Sequence, residues 1–168
     1  TMWLKRRTPQ NIVIGGAAGA MPPVIGWAAT TGEVGLGAVV LFALIFIWTP
    51  PHFWALALLR SDEYAAAKVP MLPVVAGERA TKNQILFYSV LVAVAGIAPW
   101  YIGLASLPYG IAATALGFMF LGFAIAVWRR EDVKWAGRMY GFSILYLFLI
   151  FSFLLVDGGM AAVASSTI

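Results

Sequence analysis

The ionisable side chains best placed for chemistry lie in residues 48–75, which read WTPPHFWALALLRSDEYAAAKVPMLPVV. His52, the only histidine of the chain, follows two prolines inside an apolar run, and a charged segment with Asp62 and Lys68 comes next. Ionisable groups within or beside a membrane span are costly, so by default they indicate a functional site. We therefore treat this stretch as the candidate site.

Two adjacent carboxylates in the charged segment, with basic groups on either side, are suited to holding a diphosphate. Asp62 and Glu63 fall in the first turn of a short predicted helix that Ser61 can cap, and Arg60 and Lys68 flank them. Carboxylates bind Mg²⁺, and Mg²⁺ together with basic side chains binds a diphosphate group. The other interpretation is an interfacial loop of solvated ion pairs, which contribute little.

The imidazole of His52 admits several roles. It lies about 11 Å along its helix from the end of the span at Leu59, taking 1.5 Å per residue. At that depth a histidine can ligate haem iron, carry a proton or donate a hydrogen bond, and simple packing against a neighbouring helix is an equal alternative. Pro50 and Pro51 free backbone carbonyls nearby, which are tolerated where they face protein or a water-filled cavity.

The composition indicates the class of protein that must position these groups. The chain is 62% hydrophobic and 11% charged, with a mean hydropathy of +0.89, whereas a soluble domain has about 25% charged residues. We therefore expect an integral membrane protein that contacts the lipid bilayer. The absence of cysteine excludes disulfides, thiolate metal sites and thiol nucleophiles. The basic residues lie between apolar runs, which argues against a nucleic-acid partner.

Five apolar segments are long enough to cross a bilayer, and they predict an all-α, polytopic transmembrane helix bundle in a single domain. The predicted spans are 12–30, 34–59, 84–104, 108–128 and 139–156. All 11 Lys and Arg residues then fall in segments 1–11, 60–83 and 129–138, on one side. The positive-inside rule makes these segments cytoplasmic, with the N-terminus inside and the C-terminus outside.

The first span carries small residues at helical spacing ahead of a proline pair. Gly15 and Gly19 are four apart, as are Gly16 and Ala20, and this spacing lets helices approach closely. The following Pro22–Pro23 pair predicts a kink. Tight packing is the favoured interpretation, and a cavity widened beside the kink is the alternative.

Two features lie outside the main stretch. Lys82 opens the third span with Tyr88 further in, and both could face the same inner chamber as the acidic segment. Segment 128–138 reads WRREDVKWAGR and indicates a headgroup anchor, with its two tryptophans in the aromatic belt.

Two stretches, LKRRTPQNIVIGGAAGAMPPVIGW and WTPPHFWALALLRSDEYAAAKVPMLPVV, resemble the UbiA-type intramembrane prenyltransferases, and within them the haem O synthases. The resemblance runs from about Leu4 to Tyr88, and beyond that it rests mainly on the pattern of spans. Members of the family have nine transmembrane helices. The resemblance therefore implies that this chain is the C-terminal five-helix portion, and that N-terminal helices of the same protein are missing from it.

The resemblance implies Mg²⁺-dependent transfer of the farnesyl group of farnesyl diphosphate to haem B, giving haem O. Two acidic motifs bind the Mg²⁺-diphosphate in this family. The second includes Asp62, as the catalytic and metal-binding carboxylate, and Glu63 as a second metal ligand. Substrate-binding roles follow for His52, which matches a family histidine thought to serve the haem, and for Arg60, Tyr64, Lys68 and Lys82. Lys5, Arg6 and Arg7 match a basic inner loop.

Two departures from the family pattern matter. Ala65 and Ala66 stand where many relatives have a second aspartate, so the acidic pair here is Asp62 and Glu63. The first acidic motif, Asn-x-x-x-Asp, is absent from this chain, and we expect this polypeptide alone to be inactive.

Other functions and partners fit the same sequence. A UbiA-type enzyme with a quinone-precursor acceptor is the nearest, followed by a transporter segment using His52 as a proton relay and a non-catalytic assembly subunit. For a haem enzyme, partners could include haem A synthase or oxidase assembly proteins. We expect a bacterial inner (plasma) membrane, with the mitochondrial inner membrane as the alternative.

Overall fold

The computed structural model describes the backbone of residues 11–166 and the side chains of residues 11–158. This part of the chain is all-helical and contains no strand, which confirms the predicted fold class. Its helices are α1 (Asn11–Gly19), α2 (Pro22–Thr31), α3 (Leu36–Leu59), α4 (Ser61–Ala66), α5 (Leu72–Val75), α6 (Glu78–Tyr101), α7 (Leu107–Arg129) and α8 (Lys134–Ser166).

Five helical stretches of the described residues are long and apolar enough to cross a membrane, as predicted. They are Asn11–Thr31, Leu36–Leu59, Glu78–Tyr101, Leu107–Arg129 and Lys134–Gly158. The third and fifth begin earlier than the predicted 84 and 139, because hydropathy locates the apolar middle of a helix and passes over a charged first turn. In α6 that turn starts at Glu78, after Gly77 takes a φ of 85° that suits glycine.

The two proline pairs act differently on their helices. Pro22 and Pro23 separate α1 from α2 and occupy the first turn of α2. The N–H groups of a first turn have no partner within the helix, so prolines cost no hydrogen bond there. Pro50 and Pro51 lie inside α3, which continues through them. Both are fully buried there, and the hydroxyl of Thr49 donates to the carbonyl of Ile45 at 2.8 Å in the preceding turn. Packing on neighbouring helices thus keeps α3 continuous.

The bundle is built around α3, α6, α7 and α8. Helix α6 packs on α3 and α7, α8 packs on the same two helices, and α1 and α2 pack chiefly on α3. The large side chains at the centre are Trp54, Tyr109, Phe120 and Tyr146, all with less than 2% exposure. Buried hydroxyls find backbone partners, as when Tyr109 donates to the carbonyl of Gly96 at 2.8 Å. The result is a closed core beside a more open flank at α1.

One carboxylate joins α7 and α8 at the end of the bundle away from α4. Ser106, the residue before α7, donates its backbone N–H to Asp157 at 2.7 Å and its hydroxyl to the other carboxylate oxygen. A negative charge at a helix N-terminus is stabilising because it meets the positive end of the helix dipole. Asp157 therefore caps α7 from a different helix.

Candidate functional site

A cavity of about 480 Å³ lies between α1, α3 and the segment that begins with α4. Its walls are mostly apolar and come from small residues of α1, aromatic residues of α3 and the segment from α4 to the start of α5: Gly15, Gly19, Trp48, Phe53, Tyr64 and Met71. Cavities of this size with few polar groups are typical of small-molecule sites. It is the natural place for the chemistry predicted around residues 48–75.

The small residues of α1 serve both purposes considered from the sequence. A Cβ atom on Gly16 would lie 3.0 Å from Cγ2 of Thr49, so this glycine permits the close approach of α1 and α3. A Cβ on Gly19 would meet nothing within 4 Å, and Gly19 lines the cavity. Gly16 therefore lets α1 pack closely against α3, while Gly19, one turn further on, leaves space for the cavity.

Asn11 places a polar side chain on this apolar wall. It is 4% exposed and lines the cavity, and its side-chain Nδ2 has no hydrogen-bond partner among the described residues. Leaving such a donor unpaired costs free energy, on the order of 1–3 kcal/mol. Asn11 was not among the predicted site residues, although a lone amide at the start of an apolar span is a signal that could have identified it.

His52 lies one layer behind the cavity, packed between two aromatic rings. Its imidazole stacks on Trp48 with ring centroids 4.3 Å apart and on Tyr140 with centroids 4.8 Å apart. The edge of the ring meets Phe53 at 5.1 Å. Because Trp48 and Phe53 both line the cavity and His52 does not, the histidine supports the cavity wall.

The hydrogen bonds around His52 assign its tautomer. Its Nδ1 lies 2.7 Å from the hydroxyl oxygen of Ser143, and that oxygen lies 2.6 Å from the carbonyl oxygen of Tyr140. A carbonyl cannot donate, so the single hydroxyl proton of Ser143 must point at Tyr140, and Nδ1–H of His52 must donate to Ser143. In the neutral form of the ring the lone pair is then on Nε2. Trp48 is tied to the same residue, since its Nε1 donates to the Ser143 carbonyl at 2.9 Å.

The acidic pair lies on α4, which follows α3 after a single residue. Asp62 and Glu63 are in its first turn and exposed. Arg60 lies 3.5 Å from Glu63, but both side chains are more than half exposed, so this ion pair contributes little. The predicted capping role of Ser61 is wrong. Ser61 is the first helical residue and Arg60 is the cap, because the chain turns directly from one helix into the next.

Lys68 ends α4 in an unusual backbone conformation. Its φ is +52°, in the left-handed region. The N–H of Lys68 donates to the Ala65 carbonyl at 3.1 Å, and the N–H of Val69 donates to the Tyr64 carbonyl at 3.0 Å. This is a Schellman motif, which usually has glycine at this position. It reverses the chain so that Tyr64 and Val69 both face the cavity, while Lys68 stays exposed beside the acidic helix.

Lys82 lies apart from the cavity, in a contact between α6 and the segment after α7. It is 7% exposed, and its Nζ donates to the carbonyl of Arg130 at 2.8 Å and lies 2.6 Å from Glu78. Tyr88 packs against Trp54 in the core, with centroids 5.3 Å apart. The structure thus groups Arg60, Asp62, Glu63, Tyr64 and Lys68 on one short segment, sets His52 behind the wall, and separates Lys82 from both. Lys5, Arg6 and Arg7 lie outside the described residues.

The carboxylates present suit a metal that is shared with a substrate. Within residues 11–158, no cluster of three or more His, Cys, Asp or Glu side chains could hold a metal ion. Mg²⁺, however, usually keeps several waters and is bound by one or two carboxylates plus substrate phosphates. The adjacent, exposed Asp62 and Glu63 fit that mode.

Comparison with known proteins agrees with the predicted resemblance. The family model described as UbiA prenyltransferase family matches residues 1–154. Relatives named protoheme IX farnesyltransferase include that of Rhizobium rhizogenes, 59% identical over 98% of this chain and 53% of the relative. That of Parvibaculum lavamentivorans is 58% identical over 94% and 51%, and that of Rhizorhabdus wittichii is 57% identical over 96% and 55%. The chain spans about half the length of these relatives. No solved structure matches it significantly.

Proposed function

The chain belongs to the UbiA prenyltransferase family, and we propose that the protein containing it transfers the farnesyl group of farnesyl diphosphate to haem B. Relatives 57–59% identical carry the name of that activity. The observation that carries the proposal is that an apolar cavity adjoins an exposed pair of carboxylates. Tyr64 lines an apolar, aromatic cavity from the same short helix that presents Asp62 and Glu63 to solvent.

In this reaction the bond between the allylic carbon and the diphosphate oxygen breaks, and diphosphate leaves with the electron pair. The farnesyl carbon joins a vinyl group of haem B. Water then supplies a hydroxyl group and a proton is released. The protein must therefore stabilise negative charge on the leaving group and positive charge on the farnesyl carbon, while keeping water away from the first step.

The residues of α4 serve the leaving group in this proposal. Asp62 and Glu63 would hold Mg²⁺, which when bound neutralises charge on the diphosphate. Arg60 and Lys68 carry positive charges on the same segment and would bind its remaining oxygens. Their exposure supports this assignment, because a charged substrate arriving from water must reach them.

The aromatic wall serves the farnesyl carbon and the acceptor. The faces of Trp48 and Phe53 can stabilise a developing cation, and His52 fixes both rings through stacking and edge contact. Asn11 offers a buried donor to an oxygen of the substrate. The predicted role of His52 in haem use then acts through Trp48, with Nε2 left available as an acceptor.

The test of the proposal is a comparison of acceptors with the full-length protein in membranes. Farnesyl diphosphate and Mg²⁺ are supplied with either haem B or 4-hydroxybenzoate, and products are separated by chromatography. We expect farnesylated haem and no prenylated benzoate. Prenylation of the benzoate alone would assign a quinone-precursor acceptor, and no product from either acceptor would contradict prenyl transfer. We further propose a bacterial plasma membrane as its location, which the bacterial origin of the named relatives supports.

A further inference from the structure

Two tryptophans at the α7–α8 connection each lie under arginine side chains. The guanidinium carbons of Arg130 and Arg138 lie over the ring of Trp135, 4.5 and 4.7 Å from its centroid. Arg79 lies 4.4 Å over Trp128. The arrangement at Trp135 differs from the single contact at Trp128, because its two cations also repel each other.

The two cations on Trp135 repel each other and have no carboxylate partner among the described residues. Their distances to one centroid place them within about 10 Å of each other, which is the Debye length at 0.1 M salt. Glu131 and Asp132 are close in sequence, but the ion pairs in the described part are Arg60–Glu63 and Lys82–Glu78. Asp132 instead accepts the backbone N–H of Lys134 at 2.9 Å.

The backbone holds this cluster in place. The carbonyl of Arg130 accepts a hydrogen bond from the buried Lys82 at 2.8 Å. Trp135 is half-buried and packs against the core next to Ala136, which is 3% exposed. The Arg130 backbone and the Trp135 ring are therefore held in place before any ligand arrives, and the ring brings the two guanidinium groups to one site, which lowers the entropy lost on binding.

We propose that Arg130, Trp135 and Arg138 form a binding site for the headgroup phosphate of an anionic phospholipid. Guanidinium groups bind phosphate oxygens in a bidentate manner, and an anionic phosphate bound beside the two arginines offsets their repulsion. The site lies where two membrane-length helices meet, and indole rings prefer the headgroup level of a bilayer. None of the three residues lines the cavity at α1, so the site is separate from the proposed reaction.

This proposal goes beyond the general anchoring expected of segment 128–138 because it assigns the binding to particular arginines. Diffuse attraction to an anionic surface depends on the number of basic residues near it and falls off with screening. Binding at a specific site depends instead on which particular basic residues are removed. The chain offers a matched pair for comparison, since Arg129 and Lys134 are exposed cations of the same segment that make no cation–π contact with either indole in the described structure.

The experiment uses the full-length protein in nanodiscs of phosphatidylcholine with a small fraction of phosphatidylglycerol. The affinity for phosphatidylglycerol is measured for the parent protein, for Arg130→Gln/Arg138→Gln and for Arg129→Gln/Lys134→Gln. Loss of two surface cations weakens such binding by roughly tenfold or more when both meet the lipid. We expect that loss for the first variant and a change of less than about threefold for the second. Equal losses in both variants would overturn the proposal.

Two further measurements separate a lipid site from its alternatives. Trp135→Leu keeps every charge and should also weaken phosphatidylglycerol binding severalfold, whereas an unchanged affinity would contradict a role for the indole. Inorganic phosphate at millimolar concentration should not displace the lipid, and displacement would show that the site takes free phosphate. Unaltered thermal unfolding of each variant in pure phosphatidylcholine shows that folding is intact, and a variant that unfolds early is replaced by the corresponding Arg→Lys change.

Discussion

At the scale of single residues, His52 is defined by a partner far away in the chain. Its depth in an apolar helix could be predicted from sequence, and that depth pointed to a functional site. Its position behind the cavity wall could not, because Ser143 lies 91 residues further on and the stack with Tyr140 depends on how α8 packs. Side chains from distant helices decide what a buried imidazole can do.

Replacing Ser143 by alanine tests this arrangement. The change leaves Nδ1–H of His52 without its acceptor, which costs about 1–3 kcal/mol for a buried group, and Trp48 loses the ordered ring beside it. We expect the half-saturating concentration of haem B to rise severalfold with little change for farnesyl diphosphate. Ser89→Ala is the matched control, since the Ser89 hydroxyl is equally buried and donates within its own helix at 2.7 Å. Equal effects of both variants would contradict a specific role.

Replacing Asp62 by asparagine tests the acidic pair. The variant keeps the size of the side chain and removes a metal-binding charge, so turnover at limiting farnesyl diphosphate should fall by roughly tenfold or more and respond less to added Mg²⁺. Asp132→Asn, an exposed aspartate in another inter-helix segment, should leave turnover unchanged. If Asp62→Asn shows normal Mg²⁺ dependence in rate assays, the assignment of Asp62 is wrong.

At the scale of elements, the five membrane-length helices could be predicted and the short segment between α3 and α6 only in part. Apolar runs determine long helices regardless of their neighbours. The ends of α4 depend instead on local geometry. Ser61 has the right chemistry for a cap, but the tight turn from α3 makes it a helical residue. Lys68 takes the left-handed position although its side chain gives no sign of it, because the return of Val69 to the cavity requires it.

The left-handed Lys68 allows its backbone and its charge to be tested separately. The left-handed conformation costs an ordinary residue about 1–2 kcal/mol, and glycine and asparagine both adopt it readily. Lys68→Gly and Lys68→Asn therefore remove the charge without straining the backbone. We expect both variants to unfold thermally no earlier than the parent, and both to need severalfold more farnesyl diphosphate for half-saturation. Lys68→Val, which also removes the charge but disfavours the left-handed conformation, should lower thermal stability. Normal substrate use by Lys68→Gly would contradict the diphosphate-binding role.

At the scale of the whole molecule, the alternation of helices predicts which segments share a side of the membrane. The segments after α3 and after α7 should face the cytoplasm, together with Asp62 and Arg130, and the turn containing Glu33 should face the opposite side. This orientation follows from the distribution of basic residues, which is a property of the chain as a whole.

The absence of cysteine from this chain makes the orientation straightforward to measure. Single cysteines at Glu33 and Ala67, introduced into full-length protein lacking other cysteines, are treated in intact cells with a membrane-impermeant maleimide. We expect Glu33→Cys to be labelled and Ala67→Cys to be labelled only after the cells are opened. Both positions are exposed, so accessibility within the protein is matched. Labelling in the reverse order would invert the topology.

The contact between Ser106 and Asp157 has a consequence for biosynthesis. Ser106 precedes α7, and the carboxylate that accepts its N–H is translated 51 residues later, on α8. A chain leaving the ribosome therefore presents the first turn of α7 before its anionic partner exists. The pairing at this face is completed only when the last described helix arrives, so α8 completes the assembly of α7.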